Sequence, residues 1–531
     1  MTIIFKSPFP DVLIPEDAAL WNKLEQHAQE IGDKPALVCG MTDKSLSFAE
    51  THMQARRICA GLAAKGIKRG DVVILHSFNC LEYPIVFLAL NRLGAICSMS
   101  SPQFNSEELA DQIQSSGAIA VISHVAFAKV AVQAAAFSGV PRDQVLTLGH
   151  AKGVPGLQTI ESLIEMNLPF PDLPRINTHD VVMLPYSSGT TGRPKGVELT
   201  ARAMYACGAR LSDREEFADY VLAVLPFFHM SATMIFHVTI FKGMAMIVLP
   251  RFESGSFLRV IEKYKLDTIN IAPPIVQFLA KHPLVDKYDL SSLNRMASGG
   301  APLGEELQNA IRNRLGVAVL QGYGMTELAG GATHSSPTAF KEGACGQLLP
   351  NTELRVKCIE SGVDLPANRR GELLIRSPGA MKGYFLNPGA TRETVTDDGF
   401  VRTGDVGFID DDGYVFIVDR LKELIKYKGH QVAPAEIEDV VNSHPQVADS
   451  CCVRGLDSVT GEEIPKAFVV VKPGGAQALT AEALMEFVAA KVTGYKRVRE
   501  VEFIDTIPKS LSGKILRRKL QLQQDKLRSR L

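Results

Sequence analysis

The chain predicts an α/β protein: a large N-terminal unit of two parallel-type sheets with helices and a small β-barrel region, then a small α+β C-terminal unit. Three observations carry this. Strand-like and helical segments alternate over the first 170 residues and resume after a proline-rich joint at 169–174. Short strands spaced by Gly, Pro and Asp turns take over from about Gly346, and amphipathic helices return after Asp419. Alternation of this kind marks parallel strands joined by helical crossovers.

Taken in order, residues 71–76 read as a buried strand and Glu82–Leu93 as a helix with an apolar inner side. Residues 118–122 and 144–148 are further short apolar runs of the first sheet. Residues 181–184, 221–225 and 246–249 read as strands of a second sheet. In the last stretch, 433–443 and 481–492 are amphipathic helices set among strands at 451–453 and 467–471. Its size suits a separate small domain, giving boundaries of 1–419 and 420–531.

At 531 residues the chain exceeds one ordinary core. Hydrophobic residues at 46% and charged residues at 22% are those of a soluble globular protein. A net charge of −1 offers no chain-wide field for nucleic acid or a membrane surface. The most apolar stretch, 237–249, is broken by Lys242 and Gly243, short of the ~18 residues a spanning helix needs. Residues 1–15 mix Lys6, Asp11 and prolines and lack the apolar core of a signal peptide. Nine cysteines form no Cys-x-x-Cys pair and read as reduced core thiols.

The sharpest local signal is Ser187-Ser-Gly-Thr-Thr-Gly-Arg-Pro-Lys-Gly-Val197. Gly189 and Gly192 allow a tight turn whose N–H groups face an anion. Ser187, Ser188, Thr190 and Thr191 can donate to phosphate oxygens, and Lys195 adds a fixed positive charge. A flexible surface loop would share the composition, yet the density of phosphate-suited groups favours a nucleotide site. The spacing differs from that of a P-loop NTPase.

This segment resembles the phosphate loop of the adenylate-forming superfamily: acyl-CoA synthetases, 4-coumarate–CoA ligases, firefly-type luciferases and peptide-synthetase adenylation domains. Further regions resemble that family in its order. Leu225-Pro-Phe-Phe-His229 resembles the segment placing a His beside the acid pocket. Ser298-Gly-Gly-Ala-Pro-Leu-Gly304, with Gly300, resembles the adenine-side loop. In Gln321-Gly-Tyr-Gly-Met-Thr-Glu327 the resemblance implies that Gln321, Gly322 and Tyr323 meet the base, Thr326 the AMP phosphate and Glu327 a Mg²⁺ ion. An aromatic face suits a purine, and a hard carboxylate suits a phosphate-bridging metal. Asp405 of Arg402-Thr-Gly-Asp405 and Arg420 of Val418-Asp-Arg420 match ribose contacts. Residues 419–438 resemble the hinge and CoA-facing segment, and Pro508-Lys-Ser-Leu-Ser-Gly-Lys514 the terminal motif with its adenylation lysine.

The resemblance implies an ATP-dependent acid–CoA ligase working in two steps. ATP, Mg²⁺ and coenzyme A as co-substrate follow from it, and a mobile C-terminal lid. Lys514 serves adenylation; the lid then swings about Lys422 and brings Lys426 to the site. Lys428, Gly429 and Arg251 match CoA contacts, while His229 and Ser231 line the acid pocket. Ser231 stands where plant 4-coumarate ligases carry a Tyr, and Gly371-Glu-Leu-Leu-Ile-Arg-Ser377 departs from their second box. Both departures, with small residues at Ser231 and Ala232, point to a medium-chain fatty or aryl-alkyl, phenylpropanoid-like acid. The alternatives are a luciferase-like oxygenase and a non-catalytic nucleotide-binding relative. The latter is expected to lack Lys514, Lys195 or Glu327. The terminal Ser529-Arg530-Leu531 resembles the Ser-Lys-Leu address, so a eukaryotic source implies a peroxisomal import receptor as partner, a role in fatty-acid β-oxidation, and otherwise a cytoplasmic protein.

Overall fold

The computed structural model describes the chain except residues 1, 150–154, 188–193, 215–218, 301–302, 304, 337–339, 429, 458–461, 473–478, 511–512 and 529–531, and the side chains of 214, 305–306 and 525–528. The first sheet is built around Val72–His76, Ile96–Ser100, Ala120–His124 and Val145–Leu148, all parallel. The helix Glu82–Leu93 crosses over between the first two of these and forms over the predicted residues. It stops at Gly94, whose φ of +79° only a residue without Cβ adopts cheaply. Ile85, Val86, Phe87, Leu88 and Leu90 leave water entirely, each worth about 1.5–3 kcal/mol of transfer free energy.

Val181–Met183 lies in this first sheet and not in the second, as the sequence had suggested. It pairs parallel with Ile96–Ser100 through Cys97 and Met183, and Asn91 Nδ2 donates to the Val182 carbonyl at 3.2 Å. Alternation reveals strands but not their neighbours, and the proline-rich joint returns the chain to the same sheet. The edge beyond it is antiparallel: Lys195–Thr200 pairs with both Val181–Met183 and Gly383–Tyr384.

The second sheet joins Tyr220–Ala223 and Ala245–Val248, in parallel, to the early strand Pro35–Cys39. A short parallel sheet of Thr268–Ile271, Arg295–Ser298 and Ala318–Gln321 shares its core, since Leu222 and Ile247 cluster with Ile269 and Met296. From Glu353 the texture change is real. Glu353–Lys357, Gly371–Arg376, Val401–Ile409 and Val415–Arg420 form an antiparallel sheet that takes up Phe5–Lys6 at its edge. The last stretch has its own core: Val447–Leu456 and Glu463–Val471 pair antiparallel, Glu500–Phe503 adds in parallel, and Pro434–Asn442 and Ala481–Ala489 cover them. No described helix is long and apolar enough to cross a membrane.

Candidate active site

A cavity of about 1310 Å³ opens where these sheets meet the C-terminal segment, and more basic than acidic side chains line it. Sequence-predicted residues Ser187, Lys195, His229, Ser231, Gly300, Gln321, Gly322, Tyr323, Thr326, Glu327, Arg420, Lys422 and Lys514 all border it. Ser188, Gly189, Thr190, Thr191, Gly429 and the terminal tripeptide lie outside the described residues.

At the polar end, the hydroxyl of Tyr323 donates to Asp405 Oδ2 at 2.5 Å, and Arg420 Nε meets Asp405 Oδ1 at 3.2 Å. Asp405 and Arg420 face each other because the strands Val401–Ile409 and Val415–Arg420 pair in that register. Burial raises the Asp405 carboxyl above its usual range, although Arg420 pulls it down. The predicted ribose carboxylate thus sits behind Tyr323 and Arg420 and does not itself border the cavity. A ribose would have to take over the bond that Tyr323 makes.

Glu327 is buried, and its Oε1 accepts from the Tyr384 hydroxyl at 2.9 Å. Lys195 Nζ stands 4.8 Å above the Tyr384 ring. Sequence reasoning missed Tyr384, for no local motif marks it; it arrives by pairing of Gly383–Tyr384 with Lys195–Thr200. Among the described residues no group of three or more His, Cys, Asp or Glu side chains converges on a metal position. A cation here would depend on Glu327 and on substrate phosphates, which is how Mg²⁺ is commonly held. The donor set fits that ion.

Lys514 follows Gly513, whose φ is +83° and whose missing Cβ would stand 2.8 Å from Pro274 Cδ. Glycine is needed there for close approach to the large unit. The loop is pinned by Ser510 Oγ, which accepts from the Lys514 N–H, and by the bridge from Lys509 to Ile515. Burial, then Arg420, lowers the Lys514 ammonium from its usual value. Behind it, Arg517 joins Glu423 Oε2 at 2.8 Å and also bonds Glu438.

At the apolar end, His229 caps the helix Met230–Lys242, and its Nδ1 accepts from the Ser231 N–H and lies 2.8 Å from Ser231 Oγ. Burial and the nearby Lys514 push the imidazole down to about 4, so it is neutral at physiological pH. Asn79 brackets the turn before it, donating to the Leu225 carbonyl and accepting from the Phe227 N–H, both at 2.8 Å. Leu211, Met234, Ile235 and Val238 continue the wall. Ala232 faces the core instead and does not widen the pocket. Lys426 and Lys428 are exposed on the hairpin Ile425–Tyr427 with His430–Val432, and Arg251 is exposed elsewhere; none borders the cavity.

Comparison with known proteins gives the family. Residues 24–385 match the AMP-binding enzyme family, and residues 436–514 match the AMP-binding enzyme C-terminal domain. The chain is 41% identical to 4-coumarate–CoA ligase 5 of Oryza sativa subsp. japonica, with 98% of this chain and 97% of the relative covered. It is 38% identical to 4-coumarate–CoA ligase of Pinus taeda, over 98% and 97%. Among solved structures it is similar to an anthranilate CoA ligase in complex with anthranoyl-AMP, at a TM-score of 0.89 and 24% identity, covering 97% and 99%. It is also similar to the o-succinylbenzoate coenzyme A synthetase of Bacillus subtilis with ATP and magnesium ion, at 0.82 and 25%, covering 94% and 99%. The chain belongs to the AMP-binding enzyme family of the adenylate-forming superfamily, as an enzyme of its acid–thiol ligase kind.

Proposed function

We propose that the protein activates a carboxylic acid with a medium-chain or aryl-alkyl body as its acyl-adenylate and then transfers the acyl group to coenzyme A. The observation that carries this is one cavity lined both by the charged Lys195, Glu327, Arg420 and Lys514 and by His229, Ser231, Met234 and Val238. A carboxylate oxygen attacks the α-phosphorus of ATP, a new P–O bond forms, and pyrophosphate leaves with its electron pair. Two anions meet in this step, so buried positive charge lowers its barrier. Lys514 serves the α-phosphate and the carboxylate, Lys195 the distal phosphates, Tyr323 the base, and Asp405 with Arg420 the ribose. Glu327 would hold a magnesium ion, which when bound neutralises phosphate charge.

In the second step the coenzyme A thiolate attacks the carbonyl carbon and AMP departs. The C-terminal unit reorients on the large one about Lys422, exchanging Lys514 for Lys426, with Lys428, Gly429 and Arg251 toward coenzyme A. The relatives named as 4-coumarate–CoA ligases support an aryl-alkyl acid, while Ser231 supports a roomier pocket than theirs. The test is an acid panel with ATP, read as pyrophosphate first and as AMP and acyl-CoA after coenzyme A is added. Pyrophosphate release without any thioester would sink the ligase reading, and turnover confined to short polar acids would sink the substrate class.

A further inference from the structure

Arg210, on the helix Ala201–Arg214, has 0% of its surface exposed, and no carboxylate pairs with it among the described residues. An arginine withdrawn from water without a counter-ion is costly, and a Leu or Met would fill the same space more cheaply. What a guanidinium adds is a rigid fork of donors. Nε donates to the Ala206 carbonyl at 3.2 Å, Nη1 to Thr352 Oγ1 at 2.9 Å, and Nη2 to the Gly331 carbonyl at 3.2 Å. Three segments distant in sequence are tied at one point. Gly379 closes the cage, since a Cβ there would stand 2.8 Å from Nη2.

Of those three, Gly331 borders the cavity. Gly330–Gly331 pairs with Gly324–Met325, directly after Tyr323, so this strand links the nucleotide segment to the apolar end. A Cβ on Gly331 would stand 3.5 Å from Met234 Sδ and 3.6 Å from Leu211 Cδ2, and both of these side chains line the same wall. Two successive glycines make a soft wall, because nothing but the backbone fixes it.

We propose that Arg210 is a positioning residue for the acid: its fork fixes the Gly331 carbonyl and thereby the glycine wall on which Met234 and Leu211 close the apolar end. The inference rests on the ligase reading above. Burial lowers the guanidinium only to about 10, so it remains charged at working pH and its donors stay in place. Misplacing a reacting group by about 1 Å can cost on the order of 10²-fold in rate.

The experiment measures KM for the acid and for ATP separately in pyrophosphate release. Arg210→Met is expected to lower kcat/KM for the acid by about 10- to 100-fold, mostly through KM, and to leave KM for ATP within about twofold. Arg210→Lys, a one-point donor, should fall between this variant and the wild type. Should Arg210→Met fail to fold, Thr352→Val removes the Nη1 partner together with the hydroxyl's own bond to the Pro350 carbonyl, and it should raise the acid KM several-fold with KM for ATP unchanged. An unchanged acid KM in the folded variants, or acid and ATP constants rising together, overturns the inference while the ligase reading stands. A wild-type protein inactive on every acid overturns both.

Discussion

Replacing Lys514 by Ala removes a buried ammonium that borders the cavity. Its neighbours are Arg420, which repels it, and Glu423, Asp405 and Glu327, which attract it. Two unit charges at 4 Å interact by about 1 kcal/mol in water and about 4 kcal/mol at the effective dielectric of a protein site. Burial is the largest influence on Lys514, so the second figure applies. About 4 kcal/mol corresponds to roughly 10³-fold in rate. Pyrophosphate release by Lys514→Ala should fall by that order, while thioester formation from a synthetic acyl-adenylate should stay within a few-fold of wild type. Loss of the repulsion from Arg420 offsets loss of the three attractions, so Tm should move by no more than about 2 °C. Equal loss in the two half-reactions, or a collapse of Tm, would refute the reasoning.

Lys426→Ala should do the reverse: thioester formation falls at least about tenfold, with pyrophosphate release nearly intact. A normal thioester rate in that variant would end the lysine-exchange proposal. Ser231→Tyr puts a ring beside His229 Nδ1, and the ratio of kcat/KM for long over short acids should drop about tenfold; an unchanged ratio means that Ser231 does not touch the acid. For pH, burial raises Asp419 to about 6 and Glu438 to about 8, with Arg517 opposing and Glu423 adding to the rise. A raised carboxyl contributes stability that is complete below its unfolded value and is lost as pH climbs through the folded one. His76, His229 and His237, held down at about 4 by burial, contribute only below their ordinary 6.5. Tm should therefore fall by a few °C between about pH 6.5 and 8.5, and Glu438→Gln should flatten that slope. A Tm rising across the window would refute the assignment.

What was legible in the sequence was whatever is written locally. The helix Glu82–Leu93 carries its own apolar side and its own glycine stop, and it forms over the predicted residues. The segment from Gln321 to Glu327 keeps backbone and side chains together, so all its site residues reach one cavity. Contacts made across sheets were not legible. Tyr384 reaches Glu327 from 57 residues away, through an edge pairing that no periodicity encodes. No motif singles out Arg210, and only tertiary packing makes it a buried cation. Asp405 stands in a motif that the sequence marks, but its bond to Tyr323 depends on how two sheets meet.

Gly513 and Arg517 bear on how the proposed reorientation can be reversible. The loop holding Lys514 touches the large unit at Ala272 and Pro274, where a side chain on Gly513 would collide. That contact of Gly513 is apolar and small, so parting it exposes little surface. The strong bonds run the other way. Arg517 binds Glu423 and Glu438, keeping the loop fixed to its own unit while the unit moves. Among the described residues, polar ties that cross to the large unit beyond Lys422 include the exposed Arg370–Glu436 pair at 2.9 Å, worth under about 1 kcal/mol, and the Ala435 N–H to Asp419. Asp419 lies before Lys422, so this last bond must lengthen if the hinge turns there. A turning point between Asp419 and Arg420 would keep Arg420 with the lid and break its pair with Asp405. In the proposed reorientation, rotation at Lys422 preserves that pair in both steps, which is the physical reason to place the proposed hinge after Arg420 and not before it.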